Sequence, residues 1–346
     1  MRVRRFHKLV AAATGGVALA LVLVAWWRPQ TLERERILMG TFVQVKAYGG
    51  NERELNAAVE AAFREMQRLE GVLRRRGDGE LGQLNGAPAG QAVAVSAELF
   101  DVLQYAERYR LLSRGAFDVT LGALEDLWGF VEDWDGLGRV PSPAEIDAWL
   151  AAPRGLELDE ASKRVKRLSD ATQIDLGGIA KGYAVDRALE VLRAHGVQAA
   201  LVNAGGNVRT FGQVPEPFAF WIRLRPFQVA VQHPRQASKI LGGISLEEGQ
   251  GVATSGDYQR YFEVAGARYH HLFDPRTGQP ARRLTSATVT APTAMEADIL
   301  STAVFVLGME AGLALAEQLP AVEAVLVTAE GQVLTSSGLD STGFSL

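Results

Sequence analysis

The spacing of apolar and polar positions predicts a chain of irregularly mixed strands and helices behind an apolar N-terminal run. After that run, residues 28–36 are predicted to be a polar connector, and the alternating, β-branched residues 37–48 are typical of a strand. Apolar residues recur at helical spacing over 51–75, which predicts a long helix, and residues 77–90 are predicted to be a loop.

The rest of the chain continues this mixture. Ser96 is predicted to cap a second helix. Further helices are predicted over 143–150, 183–195 and 295–307, a hairpin ending with 165–174, strands within 199–211 and 218–246, and a final hairpin over 322–328 and 332–335. Because strands and helices do not alternate regularly, the pattern predicts an α+β fold with mixed or antiparallel sheets and packed helices, and not a doubly wound sheet.

The N-terminal run is expected to anchor the protein in a membrane. Four basic residues between positions 2 and 8 precede an uncharged run over 9–27, whose 19 residues are near the lower limit for a spanning helix. The basic flank favours a cytoplasmic N-terminus. We therefore expect an inner-membrane anchor over 1–29 and an exported catalytic domain over 30–346 facing the periplasm. The alternative is a cleavable signal peptide, but the candidate cleavage site Ala18-Leu19-Ala20 lies inside the apolar run.

Composition narrows the function classes. The net charge is −4, so there is no basic excess to support nucleic-acid binding. The chain has no cysteine, which excludes disulfides, zinc-thiolate sites, iron–sulfur clusters and acylation at a cysteine. A chain without cysteine is compatible with an oxidising compartment.

Asp298 and Thr302 are candidate metal ligands. They lie four residues apart on a predicted helix and therefore share one face, which we expect to be exposed. Carboxylate and hydroxyl oxygens are ligands for magnesium or calcium. The alternative is that Asp298 is an ordinary surface acid and that Thr302 packs through its methyl group.

The segment from Asp175 to Gly182 is a candidate phosphate site. Gly177 and Gly178 allow close approach of the backbone to a ligand, and a helix starting near Ala180 would present free N–H groups, with Lys181 adding a cation. The segment matches neither a Walker motif nor a dinucleotide-binding fingerprint, and a simple turn is the alternative.

His270 and His271 are expected to differ in role, because strand alternation places them on opposite faces. Beside a phosphate site, one of them could act as a general base or orient a ring, whereas a packed histidine is the alternative. A tight turn is predicted over 274–278. The segments 116–120 and 127–130, taken alone, are typical of a core.

Together these motifs resemble the FAD:protein FMN transferase family. The resemblance covers about residues 39–307, and its elements stand in the family's order: MGTFVQV, GAFDVTLGAL with LWGF, IDLGGIAKGYAVD, VNAGGNVRTFG, SGDYQRYF, HHLFDPRTG and AMEADILSTAVFVLG. The resemblance implies a T-fold-like core and one or two Mg²⁺ ions. Asp298 and Thr302 would bind the metal through their side chains and Ala180 through its carbonyl.

The resemblance also implies the reaction, in which the FMN moiety of FAD moves to a Thr or Ser hydroxyl of an acceptor protein and AMP is released. Family members serve subunits of membrane redox complexes. The implied FAD contacts are Met39, Ala116, Phe117, Asp118, Asp175, Lys181 and His271, and the implied catalytic residues are Lys181, His271 and Asp298. The alternatives are an FAD pyrophosphatase that gives FMN and AMP, a non-catalytic FAD-binding protein and, last, a structural envelope protein.

Three departures from the family pattern stand out. Arg75 replaces the aromatic residue expected to stack on FAD, which implies weaker or altered binding unless the guanidinium stacks instead. Asn207 stands where the family often has an aspartate, which removes a charge. The usual lipidation cysteine is absent, in keeping with an anchor helix.

Overall fold

The computed structural model describes residues 30–131, 136–218, 221–339 and 344–345. The anchor expected over residues 1–29 lies outside the described residues. Among the residues that are described, no helix is both long enough and apolar enough to cross a membrane.

The described helices and strands follow one another in an irregular order. The helices are α1 (Glu52–Leu73), α2 (Glu80–Gly86), α3 (Ala97–Leu112), α4 (Gly122–Trp128), α5 (Pro143–Ala151), α6 (Ala180–Ala194), α7 (Ala294–Leu307) and α8 (Met309–Glu317). The strands are β1 (Gln30–Leu38), β2 (Thr41–Gly49), β3 (Ala92–Ala94), β4 (Leu156–Asp159), β5 (Arg164–Arg167), β6 (Ala199–Ala204), β7 (Asn207–Phe211), β8 (Val214–Phe218), β9 (Trp221–Arg225), β10 (Gln228–Gln232), β11 (Ile240–Ser245), β12 (Gly251–Gly256), β13 (Tyr261–Val264), β14 (Ala267–His270), β15 (Phe273–Asp274), β16 (Gln279–Pro280), β17 (Leu284–Ala291), β18 (Glu323–Thr328), β19 (Val333–Thr335) and β20 (Phe344–Ser345).

An eight-stranded sheet organises the described residues, with the strand order β1-β2-β6-β7-β12-β17-β18-β19. Every neighbouring pair in it is antiparallel. Helices α1, α6 and α7 pack against this sheet and share its main hydrophobic core. The predicted α+β class with antiparallel strands and packed helices is therefore confirmed, and the T-fold-like description of this core stays a prediction.

Helices with a clear apolar stripe or cap were predicted well. In α1, the buried residues recur at helical spacing, and Asn51 Oδ1 accepts a hydrogen bond from Glu54 N at 2.9 Å. Ser96 Oγ caps α3 by accepting from Leu99 N at 3.1 Å. The helix at 143–150, the helix near 295–307, the strands within 199–211 and 218–246 and the final hairpin are also confirmed.

The start of the sheet differs from the prediction. We expected a polar connector over 28–36 and one strand over 37–48, but Gln30–Leu38 is itself strand β1, and Met39 and Gly40 form the turn into β2 with φ of 53° and 70°. Because β1 is an edge strand, charged side chains along it remain in water, and only Leu32 is buried. The polar composition of β1 therefore did not indicate a strand.

Helix α8 and two shorter helices were also missed. Helix α2 lies inside the predicted loop 77–90, and α4 lies inside the segment 117–130. Each has seven residues, which is too short for an apolar periodicity to be recognised. As expected for the LWGF segment, Trp128 and Phe130 are core residues, and they pack with Phe262 and Phe273 in a second hydrophobic cluster.

Three turns and strand ends meet at one end of the large sheet. Gly205, between β6 and β7, donates its N–H to Phe42 O at 3.1 Å beside the β1–β2 turn. Its φ is +59°, and a Cβ there would lie 2.5 Å from Thr41 Oγ1, so glycine is required. Ser255 and Gly256 end β12 in the same antiparallel sheet. Thr302 Oγ1 lies 3.2 Å from Ser255 Oγ, so this candidate metal ligand is at the same end of the sheet.

We predict that His270 makes folding stability depend on pH. It is 4% exposed, its Nε2 lies 2.6 Å from Ala281 O, and burial lowers its pKa to about 4. The unfolded chain, with a histidine pKa near 6.5, binds more protons below that pH, so stability is full above about 6.5 and falls towards pH 4. We expect a loss of about 1.4 kcal/mol per pH unit from this residue.

Urea unfolding at pH 7.5, 6 and 5 measures this effect. His270→Asn, which keeps a donor and an acceptor, should be less stable at pH 7.5 and should lose less stability on acidification than the unmodified chain. An identical pH slope for both proteins would contradict the assignment.

Candidate active site

Asp298 lies in α7, between the large sheet and α6. Asp298 is only 5% exposed, so the expectation that the Asp298–Thr302 face is an exposed turn is wrong. Helix α7 is apolar on nearly all sides and is enclosed by its neighbours, which explains the burial. Oδ2 accepts a hydrogen bond from Gly182 N at 3.0 Å, and Oδ1 lies 4.0 Å from Lys181 Nζ.

Small residues and one carboxylate bring α6 against α7. A Cβ on Gly182 would lie 2.3 Å from Ala294 O, so only glycine allows this approach. Asp186, one turn further along α6, accepts hydrogen bonds from Ala294 N at 2.9 Å and Met295 N at 3.0 Å. These are unsatisfied donors of the first turn of α7, and the carboxylate also complements the helix dipole. The two helices are thus locked at the end where Asp298 lies.

Thr302 carries its hydroxyl on the same face as Asp298, as the four-residue spacing predicted. Its Oγ1 donates to Asp298 O at 3.3 Å and lies 3.2 Å from Ser255 Oγ. Ser255 Oγ is in turn 2.9 Å from Ser301 Oγ, which donates to Asp298 O at 2.9 Å. The alternative of a surface acid beside a packed methyl group is therefore not what the structure shows.

The donors at this site suit a hard divalent cation. In the described part of the chain, no cluster of three or more His, Cys, Asp or Glu side chains could hold a metal. The site offers the Asp298 carboxylate and the Thr302 hydroxyl, and Ala180, the predicted backbone ligand, is the first residue of α6, two positions before Gly182. Mg²⁺ commonly binds to one or two carboxylates and completes its shell with substrate phosphates and water. This oxygen set therefore fits magnesium together with a phosphate-bearing substrate.

Asn207 acts on Asp298 in a way that the sequence did not show. Burial raises the pKa of Asp298 overall, and the Lys181 ammonium, the Gly182 N–H and the Asn207 amide, which favour the ionised form, reduce this rise. Asn207 is itself buried at the start of β7. An aspartate at this position would put a second carboxylate beside Asp298, and asparagine avoids that repulsion.

The glycine turn before α6 is held from both sides. Asp175 Oδ1 accepts from Gly177 N at 2.7 Å, and Lys181 Nζ donates to Gly177 O at 2.7 Å. A Cβ on Gly178 would lie 3.1 Å from Phe117 Cε2 and 3.3 Å from Thr302 Oγ1. The turn therefore joins the predicted metal ligands to the segment that contains Phe117.

Arg75 is not placed to stack on a ligand. Its side chain is 5% exposed and pairs with Asp126, while Nη1 lies 3.5 Å from both Glu125 and Asp175. Sequence reasoning missed Glu125 and Asp126 as partners. The sequence could have suggested these partners, because two adjacent acids in α4 are matched in number and charge by the adjacent arginines Arg75 and Arg76.

The two histidines differ in environment, as predicted. His270 is packed against the Phe305 ring. His271 Nδ1 lies 3.2 Å from Arg260 O, and since a carbonyl only accepts, Nδ1 carries the proton and Nε2 is left as an acceptor. Burial, followed by the positive charge of Arg260, lowers the pKa of His271 to about 3. His271 is therefore neutral at pH 7 and can accept a proton at Nε2.

The remaining predicted contacts lie around this centre. Met39 N donates to Glu70 Oε1 at 2.8 Å, which fixes the β1–β2 turn to α1. Ala116 and Phe117 are buried beside the glycine turn. Asp118 Oδ1 instead accepts from Thr120 N at 2.8 Å and from Thr120 Oγ1 at 2.7 Å. The structure thus brings Asp298, Thr302 and Lys181 together, with Phe117 beside Gly178 of the adjoining turn, and it shows Asp118 bonded within its own loop.

Known proteins share both the sequence and the fold. The sequence profile of the ApbE family matches residues 39–326. An FAD:protein FMN transferase of Klebsiella pneumoniae is 34% identical over 311 residues, covering 87% of this chain and 90% of the relative. An FAD:protein FMN transferase of Treponema pallidum is 32% identical over 329 residues, covering 90% and 88%.

Solved structures agree with these relatives. The ApbE protein of Thermotoga maritima superposes with a TM-score of 0.79 at 34% identity, covering 90% of this chain and 98% of its own. The flavinyl transferase ApbE of Pseudomonas stutzeri, in its apo form, gives 0.76 at 35% identity, covering 91% and 97%. The family resemblance drawn from the motifs is therefore confirmed, and the chain belongs to the ApbE family.

Proposed function

We propose that the protein is a magnesium-dependent FAD:protein FMN transferase that transfers FMN from FAD to a Thr or Ser hydroxyl of an acceptor protein. The chain is a transferase, as its curated relatives are named FAD:protein FMN transferase. The observation that carries the proposal is the buried Asp298 carboxylate, which has Gly182 N–H and Lys181 on one side and the Thr302 hydroxyl one turn away. This arrangement suits a cation next to a phosphoanhydride.

Asp298, Thr302 and the Ala180 carbonyl would hold Mg²⁺. When bound, the cation neutralises charge on the pyrophosphate and favours AMP as the leaving group. Lys181 adds a fixed positive charge beside the same carboxylate. Gly182 N–H orients the Asp298 carboxylate, and together with the Asn207 amide it favours the ionised form against the effect of burial, which raises the pKa of Asp298.

The protein's own groups can also handle the proton of the acceptor. The acceptor oxygen forms a bond to the FMN phosphorus as the bond from that phosphorus to the AMP oxygen breaks. The proton of the acceptor protein's hydroxyl must leave, and we assign its removal to His271 Nε2, which belongs to a neutral imidazole. We assign FAD contacts to Met39, the Ala116–Asp118 segment, Asp175, Lys181 and His271.

A direct assay tests this function. The protein is mixed with FAD, Mg²⁺ and an acceptor domain that carries a candidate Thr, and the acceptor mass and free AMP are measured. We expect one FMN on the acceptor for each AMP released, and no product when EDTA removes the metal. AMP and free FMN without labelling would instead identify an FAD pyrophosphatase, and intact bound FAD would identify a flavin-binding protein.

Asp298→Asn is the sharpest single substitution at the metal site, because it keeps an acceptor for Gly182 N–H but removes the charge. We expect transfer to fall at least about 100-fold, which corresponds to about 2.7 kcal/mol of transition-state stabilisation. Magnesium affinity, measured by calorimetry, should fall with it. Asp101→Asn, at an exposed carboxylate of α3, is the control. Full magnesium-dependent activity in Asp298→Asn would remove this residue from the metal site.

We also propose that residues 1–29 anchor the enzyme in the inner membrane, with the catalytic residues in the periplasm. The support is the basic flank and the uncharged run over 9–27. N-terminal sequencing of the membrane-bound protein should return the chain from Met1. A protein that starts after Ala20 or Trp27 would show cleavage and refute the anchor.

A further inference from the structure

Arg75 is a buried arginine just beyond the end of α1. A buried guanidinium is stable only when its charge is paired, and here Asp126, Glu125 and Asp175 surround it. Gly122, the first residue of α4, makes room for it, since a Cβ there would lie 3.0 Å from Arg75 Nε. The side chain is therefore enclosed between α4 and the glycine turn before α6.

Glu125 connects this arginine to Asp175. It is mostly buried, and burial and the adjacent Asp175 carboxylate raise its pKa well above the usual range, although Arg75 acts in the opposite direction. These two effects favour the protonated form of Glu125, which can donate a hydrogen bond to Asp175. Arg75, Glu125 and Asp175 form one unit, which we call the Arg75 clamp.

The backbone on both sides of the clamp is tied together. Asn85 Nδ2 donates to Arg75 O at 3.2 Å and to Ile174 O at 2.8 Å, while Asn85 Oδ1 accepts from Ile174 N at 2.8 Å. Asp175 N donates to Val119 O at 2.8 Å. The backbone on both sides of the clamp is therefore fixed by hydrogen bonds, and the position of the Asp175 carboxylate depends on the side chains of the clamp.

A continuous set of contacts runs from the clamp to the metal site. Asp175 Oδ1 accepts a hydrogen bond from Gly177 N, and Gly177 O accepts one from Lys181 Nζ. Lys181 Nζ in turn lies 4.0 Å from Asp298 Oδ1. Since both carboxylate oxygens of Asp175 have partners within the protein, its position depends on the clamp.

We propose that Arg75 and Glu125 are positioning residues for the transfer reaction, and that they act through Asp175 and the Gly177 turn to fix Lys181 beside Asp298. This inference rests on the proposed function. Arg75 itself is enclosed by protein, so it acts without touching FAD.

Matched variants at Glu125 test the clamp. Glu125→Gln keeps a donor to Asp175 and should keep kcat within about threefold of the unmodified enzyme. Glu125→Leu has similar bulk but no donor, and we expect kcat to fall at least about tenfold. Arg75→Lys keeps the charge but cannot reach three carboxylates at once, and a similar loss is expected. Arg68→Lys, at an exposed arginine paired with Glu65 and Glu98, should change kcat less than about twofold.

Hydrogen exchange of residues 173–182, measured without FAD or metal, gives a readout independent of activity. Exchange there should be faster in Glu125→Leu and Arg75→Lys, but unchanged in Glu125→Gln and Arg68→Lys. Melting temperatures identify variants that fail to fold, and Arg75→Lys still tests the proposal if Glu125→Leu is one of them.

The outcomes separate the two proposals. If the unmodified enzyme labels an acceptor and Arg75→Lys and Glu125→Leu keep full kcat with unchanged exchange, the clamp proposal is overturned and the transferase stands. Equal losses in Glu125→Gln and Glu125→Leu would also overturn it. If the unmodified enzyme labels no acceptor, the proposed function fails, and the exchange measurements alone decide whether the clamp orders the turn.

Discussion

The close contact between α6 and α7 is the constraint on which the site depends. Gly182 allows the backbones to meet, and its N–H donates to Asp298, while Asp186 on the same helix binds the first N–H groups of α7. Each of these contacts satisfies a buried polar group that would otherwise destabilise the fold. The contacts that pack the two helices together are therefore also the contacts that form the site. A shift of one helix along the other would separate Lys181 and the glycine turn from the carboxylate.

Buried ionisable groups are the second constraint on the site, and each of them has polar or charged neighbours that favour one protonation state. Burial raises the pKa of both Asp298 and Glu125, but a lysine, a backbone N–H and the Asn207 amide favour the ionised form of Asp298, whereas the Asp175 carboxylate favours the protonated form of Glu125. His271 is kept neutral by burial and by Arg260. The groups that favour one form of each acid, and the burial that keeps His271 neutral, are thus in place before any substrate binds. Such preorganisation reduces the rearrangement needed during reaction.

Much of the fold followed from the sequence, and the failures have physical causes. Helices α1, α3, α5 and α7 were predicted because their apolar spacing or caps are local signals. Strand β1 was taken for a connector because an edge strand can be charged along its length, and α2 and α4 were missed because seven residues show no clear period. The glycines and the Asp298–Thr302 spacing were recognised, but the burial of that face was not.

The sequence by itself determined the family, the α+β class and the residue types at the site, because motif order and helical spacing are properties of short segments. Only the tertiary structure decided which of these residues meet and in what state. Arg75 and Asp175 are 100 positions apart, and Gly182 and Asp298 are 116 apart. No local period relates residues so distant. Their contacts, and the pKa shifts of the buried groups, arise only when the sheet and helices pack and exclude water.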